Sequence, residues 1–187
     1  MAYFSTLAQS LKPYTAGEQP KDQQYIKLNT NENPYPPSPK AEEAMREAAR
    51  SLRLYPDMDC SGLCAAIAKA NGVSPDQVFA GNGSDEVLAF AFAAFFAGKR
   101  VLAPDITYSF YPIYARLFGA VYETIPLKED FTVNLPAFFQ DVPVVLANPN
   151  APTGIHLAVS ELEKLAAHLQ KKGEILLVDE AYAAFAP

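Results

Sequence analysis

The chain has 187 residues, of which 50% are hydrophobic and 19% are charged, and it carries a formal net charge of −6. This composition predicts a folded protein with a sizeable core, and the acidic balance without a basic patch argues against nucleic acid or an anionic membrane as partner. No apolar run reaches about 18 residues, so we expect no membrane-spanning helix, and the N-terminus lacks the apolar core of a signal peptide. Cys60 and Cys64, without a second pair, predict reduced cysteines in a cytoplasmic protein and no metal site.

A proline-rich arm, residues 1–39, opens the chain, and we expect it to be irregular. Helical spacing of apolar residues then predicts a helix over 40–52. Ser61 is a candidate cap for a second helix, 62–70, which ends before Gly72. We assign residues 40–187 to part of one large domain.

From residue 78 onward, predicted strands and helices alternate. The strands are 78–81, 100–104, 121–127, 144–148 and 175–178, and the helices are 84–97, 109–118 and 160–172. In the last helix Ser160 and Glu163 match a capping box, and Gly173 ends the apolar periodicity. Alternation of apolar strands with helices predicts an α/β fold with a mostly parallel sheet flanked by helices.

The segment GNGSDE (81–86) joins a predicted strand to a predicted helix. Glycines permit a tight turn there, and the backbone N–H groups near Ser84 and Asp85 could then bind an anion such as phosphate. The third glycine of a dinucleotide-binding loop and the lysine of a P-loop are both missing. An ordinary tight turn with a serine cap explains the segment equally well.

Two further segments follow predicted strands, where ligands of open α/β sheets bind. Tyr108 could lay its ring on a planar ligand, although tyrosines in such a segment are more often core residues. Asn148 and Asn150, in ANPNAPTG (147–154), are candidate amide donors, with an ordinary loop as the alternative.

Asp179 and Glu180 directly follow Ile175 to Val178, a run that we expect to form a strand buried on both faces. The Asp179 carboxylate could hold a metal, serve a nucleoside triphosphatase, or pair with a protonated heterocyclic nitrogen. The third role is favoured because the chain has only two histidines and no phosphate loop with a lysine. Tyr182 could reach the same ligand. Together the segments describe a site for a flat, phosphorylated pyridine such as pyridoxal 5'-phosphate (PLP), whose protonated ring is an electron sink.

Six segments of this sequence also follow the order found in one enzyme family: LNTNENPYPPSP (28–39), LYPD (54–57), GNGSDEVL (81–88), PDITYSFY (104–111), NPNAPTG (148–154) and LLVDEAYAAF (176–185). In this the chain resembles the histidinol-phosphate aminotransferases, which are fold-type-I, PLP-dependent class I/II aminotransferases. The resemblance implies part of the PLP-binding large domain and a homodimer. It also implies amino transfer between histidinol phosphate and 2-oxoglutarate, in histidine biosynthesis.

By this resemblance, the residues that bind the cofactor are Gly83, Ser84, Asp85, Tyr108, Asn150, Asp179 and Tyr182. Ser84 and Asp85 would take the phosphate, Tyr108 would stack on the ring, Asp179 would pair with the ring nitrogen, and Tyr182 would donate to the phenolic oxygen. Many relatives have asparagine at the position of Ala151 as a second donor to that oxygen. Here Asn150 or Asn148 takes over that bond, or it is lost, and we assign it to Asn150.

Three residues of the N-terminal part match other roles in the family. Tyr55 resembles a tyrosine that reaches the cofactor phosphate of the neighbouring subunit, and Tyr14 and Asn31 match an arm that closes over the phosphorylated substrate.

The family's catalytic lysine, which forms the Schiff base, lies in a Ser-x-x-Lys-type segment beyond the stretch that matches Asp179. None of the ten lysines here has that context. We therefore expect no catalytic residue in this chain, which corresponds to roughly the first half of such an enzyme and is expected to be inactive alone. The alternatives are a threonine-phosphate decarboxylase or an aromatic aminotransferase of the same fold, or a non-catalytic fragment that binds the cofactor weakly.

Overall fold

The computed structural model describes residues 3–11, 17–18 and 25–186. Its contacts divide the chain into two compact units, Met1–Ala80 and Gly81–Pro187. We expected a boundary after residue 39, between an arm (1–39) and part of the large domain (40–187). That assignment to an arm and a large domain stays a prediction.

The first unit contains short helices, and their bounds are α1 Thr6–Ser10, α2 Pro39–Ala48 and α3 Ser61–Asn71, with 3-10 turns at Ala49–Ser51 and Pro75–Gln77. The presence of α1 corrects the expectation that the arm is irregular, since the Ser5 side chain caps this helix by accepting from Ala8 N. Ser61 is the first residue of α3 and not its cap. The Asp57 carboxylate has the capping role instead, because it accepts from both the backbone N and the Oγ of Ser61, at 2.6 and 2.5 Å.

The second unit is a four-stranded sheet with helices packed on it. Its strands are β1 Arg100–Pro104, β2 Val121–Ile125, β3 Val144–Ala147 and β4 Leu176–Asp179, and its helices are α4 Gly83–Ala91, α5 Tyr111–Leu117 and α6 Val159–Lys171. A π-helical turn, Phe92–Phe96, continues α4, and 3-10 turns cover Leu135–Phe138 and Ala183–Phe185. Every strand pair is parallel and the strand order is β2-β1-β3-β4. The predicted mostly parallel sheet with flanking helices is therefore confirmed.

Helices pack on both faces of this sheet. Alternate residues of each strand point to opposite faces, so each central strand contributes apolar side chains to both. On one face, Val101 and Ala103 of β1 join a core cluster with Leu88, Phe92 and Tyr111. On the other face lies a second cluster that includes Leu102, Val144, Leu146, Phe138 and the α6 residues Leu162, Leu165 and Leu169. The central strands β1 and β3 are buried almost throughout as a result.

The sheet order places a topological switch between β1 and β3. The chain runs from β1 outward to β2, then returns past β1 to form β3, and continues outward to β4. A crevice forms at such a point outside the carboxyl ends of the strands, and ligands of open α/β sheets bind there.

Three local predictions are wrong. Residues 78–81 form no strand, and Phe79 is 64% exposed. β4 is half-buried instead of fully buried, since in the described residues it pairs only with β3. The capping box at Ser160 does not form, because α6 already begins at Val159 with Ala158 as its N-cap.

Candidate active site

A cavity opens at the carboxyl ends of β1, β3 and β4. It contains about 400 Å³ of empty space, part of it open to solvent, and it is lined by Ser84, Tyr108, Ala147, Pro149, Ala151, Asp179, Ala181 and Tyr182. Four residues singled out from the sequence, Ser84, Tyr108, Asp179 and Tyr182, therefore share one cavity. Their segments are up to 98 positions apart in the chain, and the parallel sheet brings them together because each follows a strand or begins a helix at the same edge.

Asp179 is the last residue of β4, and two donors fix its carboxylate. The Tyr111 hydroxyl donates to Oδ2 at 2.9 Å, and the backbone N of Ala181 donates to Oδ1 at 3.2 Å. A carboxylate oxygen has two lone pairs, so both oxygens can accept one more hydrogen bond. The carboxylate is thus oriented within the cavity and still able to accept from a ligand N–H.

Tyr111 is fully buried, and its neighbours keep it protonated. Burial raises the pKa of its phenol, and the adjacent Asp179 carboxylate raises that pKa further. The Tyr111 hydroxyl is therefore protonated near neutral pH and donates its hydrogen bond to Asp179. We did not predict this residue from the sequence, where it lies three positions after Tyr108, and it is the first residue of α5.

The Tyr108 ring is held in the cavity wall by three neighbours. Its hydroxyl donates to Asp85 Oδ1 at 2.7 Å. The ring stacks on Phe110 with centroids 5.6 Å apart and meets Tyr111 edge-on at 5.5 Å. The Tyr108 side chain is only half-buried, but these contacts fix the orientation of its ring. A residue that stacks on a planar ligand requires such a fixed ring.

The start of α4 supplies the expected tight turn. Gly83, its first residue, has φ = +80°, a left-handed conformation that glycine adopts without strain. Gly81 is required for space, because a Cβ there would lie 2.9 Å from the Val87 side chain. Asn82, the N-cap, makes no side-chain capping bond within the described part of the chain, and Ser84 faces the cavity.

Asp85, assigned with Ser84 to the phosphate, uses its carboxylate elsewhere. The carboxylate accepts from the hydroxyls of Tyr108 and Tyr114, and Asp85 is not among the residues that line the cavity. A phosphate contact by Asp85 would thus come from its backbone N–H, and that contact stays a prediction.

Asn150 and Asn148 are both buried, and their side chains hydrogen-bond to the polypeptide around them. Asn150 Nδ2 donates to Ile106 O and Thr153 Oγ1, and its Oδ1 accepts from Thr107 Oγ1. Asn148 makes a reciprocal pair with the backbone of Leu157, at 3.2 and 2.7 Å. A donor role for Asn150 toward a cofactor stays a prediction, and it would require an exchange of one of these bonds.

Three predicted site residues belong to the first unit. Tyr55 is fully exposed, and Asn31 is exposed with φ = +52°. Tyr14 lies outside the described residues. The roles of all three stay predictions.

The described ranges also bear on a metal centre and on a membrane span. No group of three or more His, Cys, Asp or Glu is placed there to hold a metal ion. In the same ranges, no helix combines the length and the apolar character needed to cross a membrane.

Comparison with known proteins identifies close relatives. The chain is 49% identical over 186 residues to a histidinol-phosphate aminotransferase of Clostridium acetobutylicum, a match that covers 98% of this chain and 52% of the relative. It is 50% identical to histidinol-phosphate aminotransferase 1 of Methylococcus capsulatus, with the same coverage. The chain thus spans about half the length of the curated relatives it matches.

The fold is shared with a solved enzyme of the same kind. The crystal structure of histidinol-phosphate aminotransferase from Sinorhizobium meliloti, in complex with pyridoxal-5'-phosphate, superposes with a TM-score of 0.81 at 26% identity and covers all of this chain and 53% of that one. The family model for aminotransferase class I and II matches residues 23–187. That match includes the whole sheet and every residue that lines the cavity, and the chain therefore belongs to the aminotransferase class I and II family.

Proposed function

We propose that this chain is the N-terminal part of the PLP-binding large domain of a histidinol-phosphate aminotransferase. The complete enzyme transfers an amino group between histidinol phosphate and 2-oxoglutarate, with glutamate as the second amino acid, in histidine biosynthesis. The observation that carries the proposal is the convergence of Ser84, Tyr108, Asp179 and Tyr182 on one cavity. The choice of substrate is supported by about 49% identity to curated enzymes with this name along nearly the whole chain.

The side chains around the cavity fit PLP in their donor and acceptor chemistry. A protonated ring nitrogen needs an anionic acceptor, and Asp179 retains accepting capacity after its bonds to Tyr111 and Ala181. A phosphate needs donors, and the start of α4 offers the Ser84 hydroxyl and first-turn N–H groups at the positive end of the helix dipole. A flat ring needs an apolar face, which Tyr108 provides, and Tyr182 offers a hydroxyl to a phenolic oxygen.

The residues at the cavity then have the following proposed roles. Ser84 and the start of α4 hold the phosphate, and Tyr108 orients the ring. Asp179 keeps the ring nitrogen protonated, and Tyr111 holds the Asp179 carboxylate in orientation through its 2.9 Å hydrogen bond. When bound, PLP supplies an electron-withdrawing ring that stabilises negative charge at the substrate α-carbon.

The assembly that we propose is a homodimer in the cytoplasm. Tyr55 is fully exposed, so its side chain is accessible to a second subunit, as the dimer requires. The free cysteines Cys60 and Cys64 support a reducing compartment. Light scattering of the complete gene product would contradict the dimer if it gave the mass of one subunit.

A substrate panel tests the proposed activity. We expect the complete gene product to form glutamate from histidinol phosphate and 2-oxoglutarate with a higher kcat/KM than from phenylalanine or tyrosine. Threonine phosphate should release no carbon dioxide. Preference for an aromatic amino acid, or decarboxylation of threonine phosphate, would replace the proposed reaction with one of the two alternatives that share this fold.

A further inference from the structure

One oxygen of Asp85 joins the cavity wall to the hydrophobic core. Oδ1 accepts from the Tyr108 hydroxyl at 2.7 Å and from the Tyr114 hydroxyl at 2.9 Å. Tyr114 belongs to α5 and is 6% exposed, whereas Tyr108 lines the cavity and is half-buried. The carboxylate therefore lies between a phenol that is fixed in the core and a phenol that faces the site.

The core side of this bridge is rigid. The Tyr114 ring packs against Phe92 with centroids 5.6 Å apart and against Phe110 at 5.8 Å. Burial raises the pKa of the Tyr114 phenol, and its hydrogen bond to Asp85 raises that pKa further, so Tyr114 remains a donor. Asp85 itself is anchored at the start of α4, a helix whose Leu88 lies in the same core cluster.

The site side of the bridge limits the rotation of Tyr108. Stacking on Phe110 and the edge contact with Tyr111 fix the plane of the ring, and the bond to Asp85 fixes its hydroxyl end. A ring held at three places presents one defined face to the cavity. Loss of the Asp85 carboxylate would remove the acceptor of this hydrogen bond.

The same carboxylate is a poor ligand for a phosphate. A carboxylate has no proton to donate to a phosphate oxygen. Because the carboxylate accepts from two phenols and does not line the cavity, only the backbone N–H of Asp85 is suited to contact an anion.

We propose that Asp85 is a positioning residue whose carboxylate fixes the Tyr108 ring for stacking on the cofactor, and that this side chain takes no part in holding the phosphate. The inference rests on the proposed function, in that PLP is the molecule on which Tyr108 stacks. The resemblance assigns Asp85 to the phosphate, whereas we assign its side chain to the Tyr108 ring. A ligand that lacks the phosphate distinguishes these two roles.

The test compares two ligands that share a ring. We expect Asp85→Ala in the complete gene product to raise the Kd of both PLP and pyridoxal, which has no phosphate, by the same factor, about two- to tenfold, as measured by equilibrium dialysis. Aromatic stacking of this strength accounts for the size of the factor. The backbone N–H of residue 85 is present in the variant, so any anion contact that it makes is retained.

Companion variants separate positioning from a general loss of structure. Asp85→Asn retains an oxygen that can accept both phenols, so its Kd values should stay within about twofold of wild type. Tyr108→Phe keeps the ring and removes the hydroxyl, and it should reproduce Asp85→Ala, with no further rise in the double variant. Asp141→Ala, at an exposed ion pair with Lys172, should leave both Kd values unchanged.

Two results for Asp85→Ala would overturn the inference. A rise confined to PLP would return Asp85 to the phosphate, and unchanged Kd values for both ligands would remove any role in binding. If Asp85→Ala does not fold, as judged by circular dichroism, Tyr108→Phe alone must still show the equal rise. If the wild-type protein does not bind PLP, the proposed function itself is contradicted. This failure is distinct from failure of the inference, because it is measured on the wild-type protein alone.

Discussion

Asp179 is held from two sides, and this arrangement makes its side chain testable apart from the fold. Among the residues that the structure describes, its carboxylate bonds to Tyr111 and to the backbone of Ala181, at the edge of the sheet. We expect Asp179→Ala in the complete gene product to lose about a hundredfold or more in kcat, which is the scale for loss of one preorganised electrostatic partner, while circular dichroism stays like wild type. The matched control is Glu180→Ala, the adjacent exposed carboxylate, which should keep near-normal rates. A rate near wild type for Asp179→Ala would disprove the assignment.

The buried phenol of Tyr111 predicts a pH dependence of stability. Its pKa is raised in the folded protein, first by burial and then by Asp179, whereas in the unfolded chain a tyrosine has a pKa of about 10. Above pH 10 the unfolded state therefore releases a proton that the folded state keeps. The stabilisation is complete below pH 10 and is lost as the pH rises, by at most about 1.4 kcal/mol per pH unit from this residue.

Urea unfolding at pH 8, 10 and 11 measures this effect. Tyr111→Phe should reduce the loss of unfolding free energy above pH 10, because the ionisable group is gone. The remaining loss comes from other tyrosines whose pKa burial raises, such as Tyr114 and Tyr122. Tyr35→Phe, which removes an exposed hydroxyl, should behave like wild type. An identical slope in Tyr111→Phe and wild type would show that Tyr111 ionises equally in both states.

Helix α6 shows how one element is fixed by its apolar stripe. Leu165 is fully buried and belongs to the cluster formed with Leu102, Val144 and Leu146 of the sheet. We expect Leu165→Ala to lower the free energy of unfolding by about 2–5 kcal/mol, because the lost side chain leaves a cavity in a packed core. Lys164→Ala, on the exposed face of the same helix, should change it by less than about 0.5 kcal/mol. A small effect at Leu165 would mean that α6 can collapse onto the sheet.

Elements with a strong periodic pattern could be predicted from the sequence, and elements that depend on a partner could not. The spacing of Leu162, Leu165 and Leu169 marks a helix face by itself, and α6 forms within one residue of the expected bounds. The apolar run at 78–81 resembles a strand equally well, but its fate depends on whether another strand lies beside it. The sequence does not contain that information in any local pattern.

The same limit applies to the candidate site. Ser84, Tyr108, Asp179 and Tyr182 could be placed together because each follows a rule about strand ends and helix starts in parallel sheets. The polar side chains of Asn150 and Asp85 could not be placed, because their residue types allow several partners and only the folded loops select Thr107 and the two phenols. Residue type and position thus predicted which segments meet at the cavity, and packing decided which way each side chain turns.

At the scale of the whole molecule, the proposed function requires a cofactor cavity and a Schiff-base lysine, and we expect that lysine to be absent from this chain. The ten lysines are spread through segments that do not resemble the family's Ser-x-x-Lys segment. We expect the purified 187-residue chain to form no glutamate from histidinol phosphate and 2-oxoglutarate in the presence of PLP, whereas the complete gene product turns over under the same conditions. Equilibrium dialysis with PLP then separates two inactive cases, since a fragment that retains the cavity binds the cofactor weakly and a fragment that cannot fold does not bind it. Measurable turnover by the 187-residue chain would show that a residue within it performs the proton transfer, and the ten lysines would be the first side chains to replace.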